Sequence, residues 1–168
     1  MTSWRDCEKT GMPRIRIIVV DRTRESFLKE GESFYLKRLQ RYAQVEWLEV
    51  KPAGIWKGRP TREVLNAEGE AILRRVGARD HLVCLDRLGE SCDSEGLAHW
   101  LGEFSAQVQS WVSFVIGGPL GLSRTVLDRG DKVLSLSRLT MTHEMSRILL
   151  LEQLYRAFTI IRGEKYHK

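Results

Sequence analysis

The sequence predicts an α/β sandwich around a mainly parallel sheet. Three observations predict it. Strand-like runs alternate with helical periodicity five times along the chain. The runs RIRIIVV (14–20) and WVSFVIG (111–117) read as buried strands, as parallel strands covered on both faces do. The second run stops at Gly117-Gly118-Pro119-Leu120-Gly121, where a strand gives up its side chains at its end.

The elements follow in order. Phe27, Leu28, Gly31, Phe34, Tyr35, Leu39 and Tyr42 recur at helical spacing and predict a helix over 24–43. VEWLEV (45–50) alternates and predicts the second strand. KPAGIWKGRP is a loop rich in Gly, Pro and positive charge. Thr61 is expected to cap a helix running to about 76. Gly69 inside that helix costs about 1 kcal/mol against Ala, with no reason visible in the sequence. HLVCLD (81–86) is the third strand. Asp93 or Ser94 caps the next helix, where Leu97, Trp100, Leu101, Phe104 and Val108 form one apolar stripe. The fourth strand, 111–117, is followed by a short helix over about 123–130 and by KVLSLS (132–137), the fifth strand. Thr142 caps the last helix, which runs to about 162, and Glu144 in its first turn suits the helix dipole.

Bulk properties narrow the function classes. A chain of 168 residues suggests one domain with a real core. No apolar run approaches the roughly 18 residues of a membrane span. The opening MTSWRDCEKTG lacks the apolar region of a signal peptide, so the cytoplasm is the default. Cys7, Cys84 and Cys92 are sparse and odd in number, and neither disulfides nor a metal site is expected. Lys and Arg number 27 against 22 Asp and Glu, a net charge of +5, which suits a polyanionic partner such as RNA.

In parallel sheets ligands bind outside the carboxyl ends of the strands. Three such ends carry distinctive loops: Leu85 to Gly89, Gly117 to Gly121, and Ser137 to Thr142. They are expected to form one pocket. The glycine loop is not a P-loop, because no Gly-Lys-Ser/Thr follows. It is a poor dinucleotide fingerprint, because the spacing is G-G-x-x-G and no acidic residue ends the next strand. It reads either as a tight strand-to-helix turn or as backbone that a flat ring such as adenine can approach. HEMSR (143–147) begins like a zinc-protease motif, but Arg147 stands in the second histidine's place. There is no G-x-S-x-G nucleophile elbow.

The last helix is apolar on most sides: Met145, Ile148, Leu149, Leu150, Leu151, Leu154, Tyr155, Phe158 and Ile161. Such a helix is central or shared with a partner, and a dimer is the favoured reading. On the residues alone the tail RGEKYHK (162–168) reads as a frayed terminus, with Tyr166 and His167 able to stack a base or exchange a proton.

FVIGGPLGLS, LSLSRLTMTHEMSRILLLEQLYRAFTI and the terminal YH together resemble the ribosomal RNA large subunit methyltransferase H (RlmH) family, within the SPOUT superfamily. YLKRL (35–39) and EGEAIL (68–73) extend the likeness, which runs over roughly 13–168. The resemblance implies a SPOUT-type α/β/α sandwich with a C-terminal trefoil knot. It implies a single methyltransferase domain over 13–168, preceded by an N-terminal extension, 1–12, open to disorder. It implies a homodimer that transfers a methyl group from S-adenosylmethionine, without a metal, to N3 of a pseudouridine. That base lies in the large-subunit rRNA stem-loop facing the decoding region of the assembled ribosome.

By the family's motif, Leu85, Gly118, Ser137, Arg138, Leu139, Thr140, Met141 and Thr142 would wrap the cofactor, and Gly117 and Gly121 would shape the turn. His143, Arg147, Glu152, Gln153, Tyr155 and Arg156 match the helix signature, and Tyr166 and His167 match a tail that approaches the active site. His143 or His167 would help to remove the N3 proton. Arg147 or Arg156 would bind phosphate or stabilise the developing anion. Leu120, Lys165 and VVDRTRE depart from the family's usual pattern. Two other readings stay open: an RNA-binding protein whose cofactor loops do not work, and a related methyltransferase acting on tRNA.

Overall fold

The computed structural model describes residues 12–107 and 110–167, with Ala106, Gln107 and His167 described by their backbone. The five strands are β1 (Arg14–Val20), β2 (Gln44–Val50), β3 (His81–Ser91), β4 (Val112–Ile116) and β5 (Lys132–Ser135). The helices between and after them are α1 (Ser26–Leu39), α2 (Thr61–Leu73), α3 (Ser94–Gln107), α4 (Arg124–Arg129) and α5 (His143–Ile161). A 3₁₀ turn, Lys165–His167, follows. No helix among the described residues is long and apolar enough to cross a membrane.

The sheet runs β2-β1-β4-β3-β5, and every neighbouring pair is parallel. Its two faces follow from the two-residue period of a strand. Ile15, Ile17 and Val19, with Val83, Phe114 and Ile116, pack against Leu39 of α1, Leu101 of α3 and Leu150, Leu154 and Phe158 of α5. Ile18 and Val20, with Leu82, Cys84 and Val115, pack against Ile72 of α2 and Val126 of α4. Covering both faces makes the strands apolar throughout, and β4 is buried at all five positions. The expected small, buried Cys84 is among them, its thiol pushed up to about 11 chiefly by burial.

Caps explain where the helices begin. The Ser123 hydroxyl accepts from the Val126 amide at 3.3 Å, and Thr142 does the same for Met145 at 3.2 Å. Asp93 rather than Ser94 caps α3, accepting from Gly96 N at 2.7 Å. Thr61 is not a cap. It is the first helical residue of α2, and Pro60 stands at the cap without a side-chain bond. Gly69 finds its reason here: a Cβ on it would lie 2.2 Å from Ser123 Oγ, so α2 crosses the cap of α4 only with glycine.

The third strand is longer than the apolar run HLVCLD. After a register break between Leu85 and Glu90 it continues beside β5, pairing Ser91 with Ser135. Backbone pairing, not apolar periodicity, extends it. Val108 lies outside the described residues, as does nearly all of the 1–12 extension.

Candidate active site at the carboxyl ends of three strands

Because β4, β3 and β5 are neighbours, their carboxyl ends lie side by side. The loops that leave them enclose a cavity of about 640 Å³, within the usual size of a small-molecule site. Leu85, Gly117, Gly118, Gly121, Ser137, Leu139, Thr140, Met141 and Thr142 all line it, together with His143. Of the residues expected there, Arg138 and the far end of the β3 loop, Leu88 and Gly89, are not in the lining. Sequence reading missed Ile116, Leu134, Leu136 and Ser146. The first three end apolar strands, so their types signal core and nothing else.

The glycine loop is a tight turn and a cavity wall at once. Gly121 N donates to Gly118 O at 3.0 Å, and Gly121 adopts φ +86°, which favours glycine. A Cβ on Gly117 would lie 2.3 Å from the Gly121 carbonyl oxygen. The glycines are therefore required by the chain's own packing. The exposed backbone of the wall is a consequence.

His143 opens α5 at the cavity rim. Burial pushes its imidazole below its ordinary 6.5, and the charge of Arg147 adds to this. It is neutral near pH 7 and can accept a proton.

Arg147, one of the two arginines expected to meet phosphate or the developing anion, turns inward in the single chain. It is fully buried. Its guanidinium donates to Thr23 Oγ1 at 2.6 Å and to the carbonyls of Val20 and Asp21 at 2.7 and 3.2 Å. Thr23 in turn donates to Glu32 of α1, whose carboxyl is pushed up by burial. Arg147 thus ties α5 and α1 to the end of β1. There Asp21 takes φ 69°, a left-handed bend that Asp tolerates better than most residues. In VVDRTRE this aspartate makes the turn.

Arg156 and Tyr166 gather elsewhere. Arg156 donates to Glu152 at 2.6 Å and lies over the Tyr166 ring at 5.1 Å. Tyr166 packs edge-on against Tyr155 at 4.7 Å, and burial, then Tyr35, pushes its phenol up to about 12. Tyr42 donates to Glu164 at 2.7 Å. The tail up to Tyr166 is therefore docked, not frayed. The His167 side chain is outside what the structure describes. Along α5, His143 and Arg156 are thirteen residues apart, about 20 Å at 1.5 Å per residue. One chain does not bring them to a common atom.

The family model described as "Predicted SPOUT methyltransferase" matches residues 13–167. The chain belongs to the SPOUT methyltransferase family. Within it, the chain is a member of the ribosomal RNA large subunit methyltransferase H group, and it is a methyltransferase. A relative of that name from Carboxydothermus hydrogenoformans is 44% identical over 157 residues, 92% of this chain and 99% of the relative. Another from Symbiobacterium thermophilum is 46% identical over 160 residues, with the same two shares of 92% and 99%. A solved structure of a probable methyltransferase from Bordetella pertussis Tohama I superposes with a TM-score of 0.56 at 13% identity, covering 93% of this chain and 99% of that one. This last likeness concerns the fold.

Proposed function

We propose that the chain methylates N3 of a pseudouridine in large-subunit rRNA, on the assembled ribosome in the cytoplasm, using S-adenosylmethionine. The cavity shared by the ends of β3, β4 and β5 carries this reading, because the family motif residues line it. The lining fits the cofactor. Leu85, Ile116, Leu136 and Met141 offer apolar surface for a flat ring, the Gly117–Gly118 backbone offers amide groups, and Ser137, Thr140 and Thr142 offer hydroxyls. S-adenosylmethionine supplies an electrophilic methyl group on a sulfonium, which calls for no metal.

The chain's own residues then have two tasks. The cavity orients the reactants, which is the main requirement of an in-line displacement. His143, held neutral by burial, accepts the N3 proton. The target base leaves its stack to reach the cavity.

The reading includes a homodimer and a C-terminal trefoil knot. Two observations support the dimer. Phe27 and Phe34 of α1 and Met145 of α5 are large apolar side chains left exposed. Arg156 and Tyr166 lie far along α5 from His143, and a second copy could supply them, and His167, to the cavity of the first. There Arg156 would meet phosphate or the developing anion.

The test is methylation of ribosomes lacking the modification with labelled S-adenosylmethionine, beside free rRNA and bulk tRNA, with the product located by mass spectrometry. Label on the stem-loop pseudouridine of assembled ribosomes is the expected result. Label in tRNA would overturn the substrate, and no label from a folded protein would overturn the activity.

A further inference from the structure

We infer that the β2–α2 loop, residues 51–60, is an RNA-reading arm in which Trp56 stacks on an unpaired base of the rRNA beside the target. The inference rests on the proposed rRNA substrate and adds a recognition element outside the cavity.

The loop is moored to the cavity wall by one buried carboxylate. Glu68 of α2 is 3% exposed. Its Oε1 accepts from the Ala53 amide at 3.1 Å. Its Oε2 lies 3.3 Å from the place a Cβ on Gly118 would occupy. The glycine turn, Glu68 and the start of the loop are therefore in direct succession. No functional role is otherwise apparent for Glu68, whose carboxyl is costly to bury unless it holds something.

What the loop presents is unusual for a surface. Trp56 is 61% exposed and Ile55 59%. The Trp56 ring is not loose: it folds over Gly54, where a Cβ would meet it at 2.9 Å. The Arg59 guanidinium lies 4.4 Å from its centroid and donates to the Gly54 carbonyl at 2.5 Å. The aromatic platform is thus held in place before any partner arrives, which lowers the entropy cost of binding.

Its surroundings are mostly cationic, with Glu63 at 4.0 Å from Arg59 the one acidic neighbour on the start of α2. Lys51, Lys57 and Arg62 are exposed on the loop and the start of α2, and Arg22 is exposed on the β1–α1 loop. The latter is tied to β2 by the Asp21 amide donating to Val50 O at 2.8 Å. A held aromatic ring among cations fits single-stranded nucleic acid, whose bases stack on the ring while phosphates meet the charges. Both lie at the same end of the sheet as the cavity, as a stem-loop delivering one flipped base requires.

The experiment measures binding of the full-length protein to ribosomes lacking the methyl group, over a series of salt concentrations. S-adenosylmethionine affinity and melting temperature are measured on the same samples. Trp56→Ala should weaken ribosome binding about tenfold or more, whereas Trp56→Phe, which still stacks, should keep most of it. Lys57→Ala should reduce the salt slope by roughly one. Cofactor affinity should stay within about twofold of the wild type, because Trp56 is not in the cavity lining. Wild-type ribosome binding by Trp56→Ala would overturn the arm alone. Loss of cofactor affinity together with ribosome binding would show that the loop shapes the cavity and would also overturn it. A wild-type protein that binds cofactor but no ribosomes would overturn the substrate and the arm together.

Discussion

The two ends of the sheet are built in opposite ways. At the amino ends of the strands, charges are locked together. Asp80 accepts from Arg16, from Ser113 Oγ at 2.7 Å and from Gly77 N at 2.9 Å. Arg16 also reaches Glu46 at 2.8 Å and lies 4.6 Å from the Trp111 ring centroid. At the carboxyl ends, side chains are withdrawn. Glycines replace them and a cavity opens. One end uses polar groups to close the fold. The other lines its cavity with glycine backbone and the hydroxyls of Ser137, Thr140 and Thr142. A parallel sheet makes this division possible because all its strands start at one end and finish at the other.

Substitutions at each end should therefore fail differently. Asp80→Ala should cost about 2–4 kcal/mol of stability, since the buried Ser113 hydroxyl and the Gly77 amide lose their acceptor and the half-buried Arg16 keeps only Glu46. Chemical denaturation would measure this, and cofactor affinity of the folded fraction should be unchanged. A matching loss of affinity would break the contrast. His143→Ala, at the other end, should leave stability nearly intact and lower turnover about 100-fold. The wild-type rate should rise with pH in a step centred below 6.5, because burial lowers the imidazole's pKa and the neutral form is the base. A step centred at or above 6.5, or one that survives in the variant, would remove His143 from the role.

Gly117→Ala should strain the turn by about 1–3 kcal/mol. Titration calorimetry should show cofactor affinity falling about tenfold to 100-fold. The smallest effect is expected from Ser123→Ala, which removes a cap worth about 1 kcal/mol just beyond the glycine turn. It should lower the melting temperature and leave affinity within about twofold. A larger loss of affinity would mean that α4 and the glycine turn move as one unit.

Much of the site was legible because its signals are local. A β-branched run that ends in Gly117-Gly118 marks a strand end, and Thr142 ahead of an apolar helix marks its start. The cofactor loops were assigned on the family motif. The structure shows that Leu85, Gly118 and all of 137–142 except Arg138 line one cavity. The inward turn of Arg147 had no local signal, because only the bend at Asp21 supplies the carbonyls that receive it. Glu68 had no signal beyond its place in EGEAIL. Its role depends on Ala53 and Gly118, fifteen and fifty residues away.

The amino-acid sequence by itself determined the alternation of strands and helices, the Thr142 cap and the glycine turn. Each depends on dihedral preference or on periodicity within a few residues. The tertiary structure alone decided that β4 inserts between β1 and β3, which sets the three loops side by side. It also decided that Gly69 must clear Ser123, that Arg147 turns inward, and that Arg156 and Tyr166 sit far from His143. These are relations between segments distant in the chain, and they are set by which faces pack together.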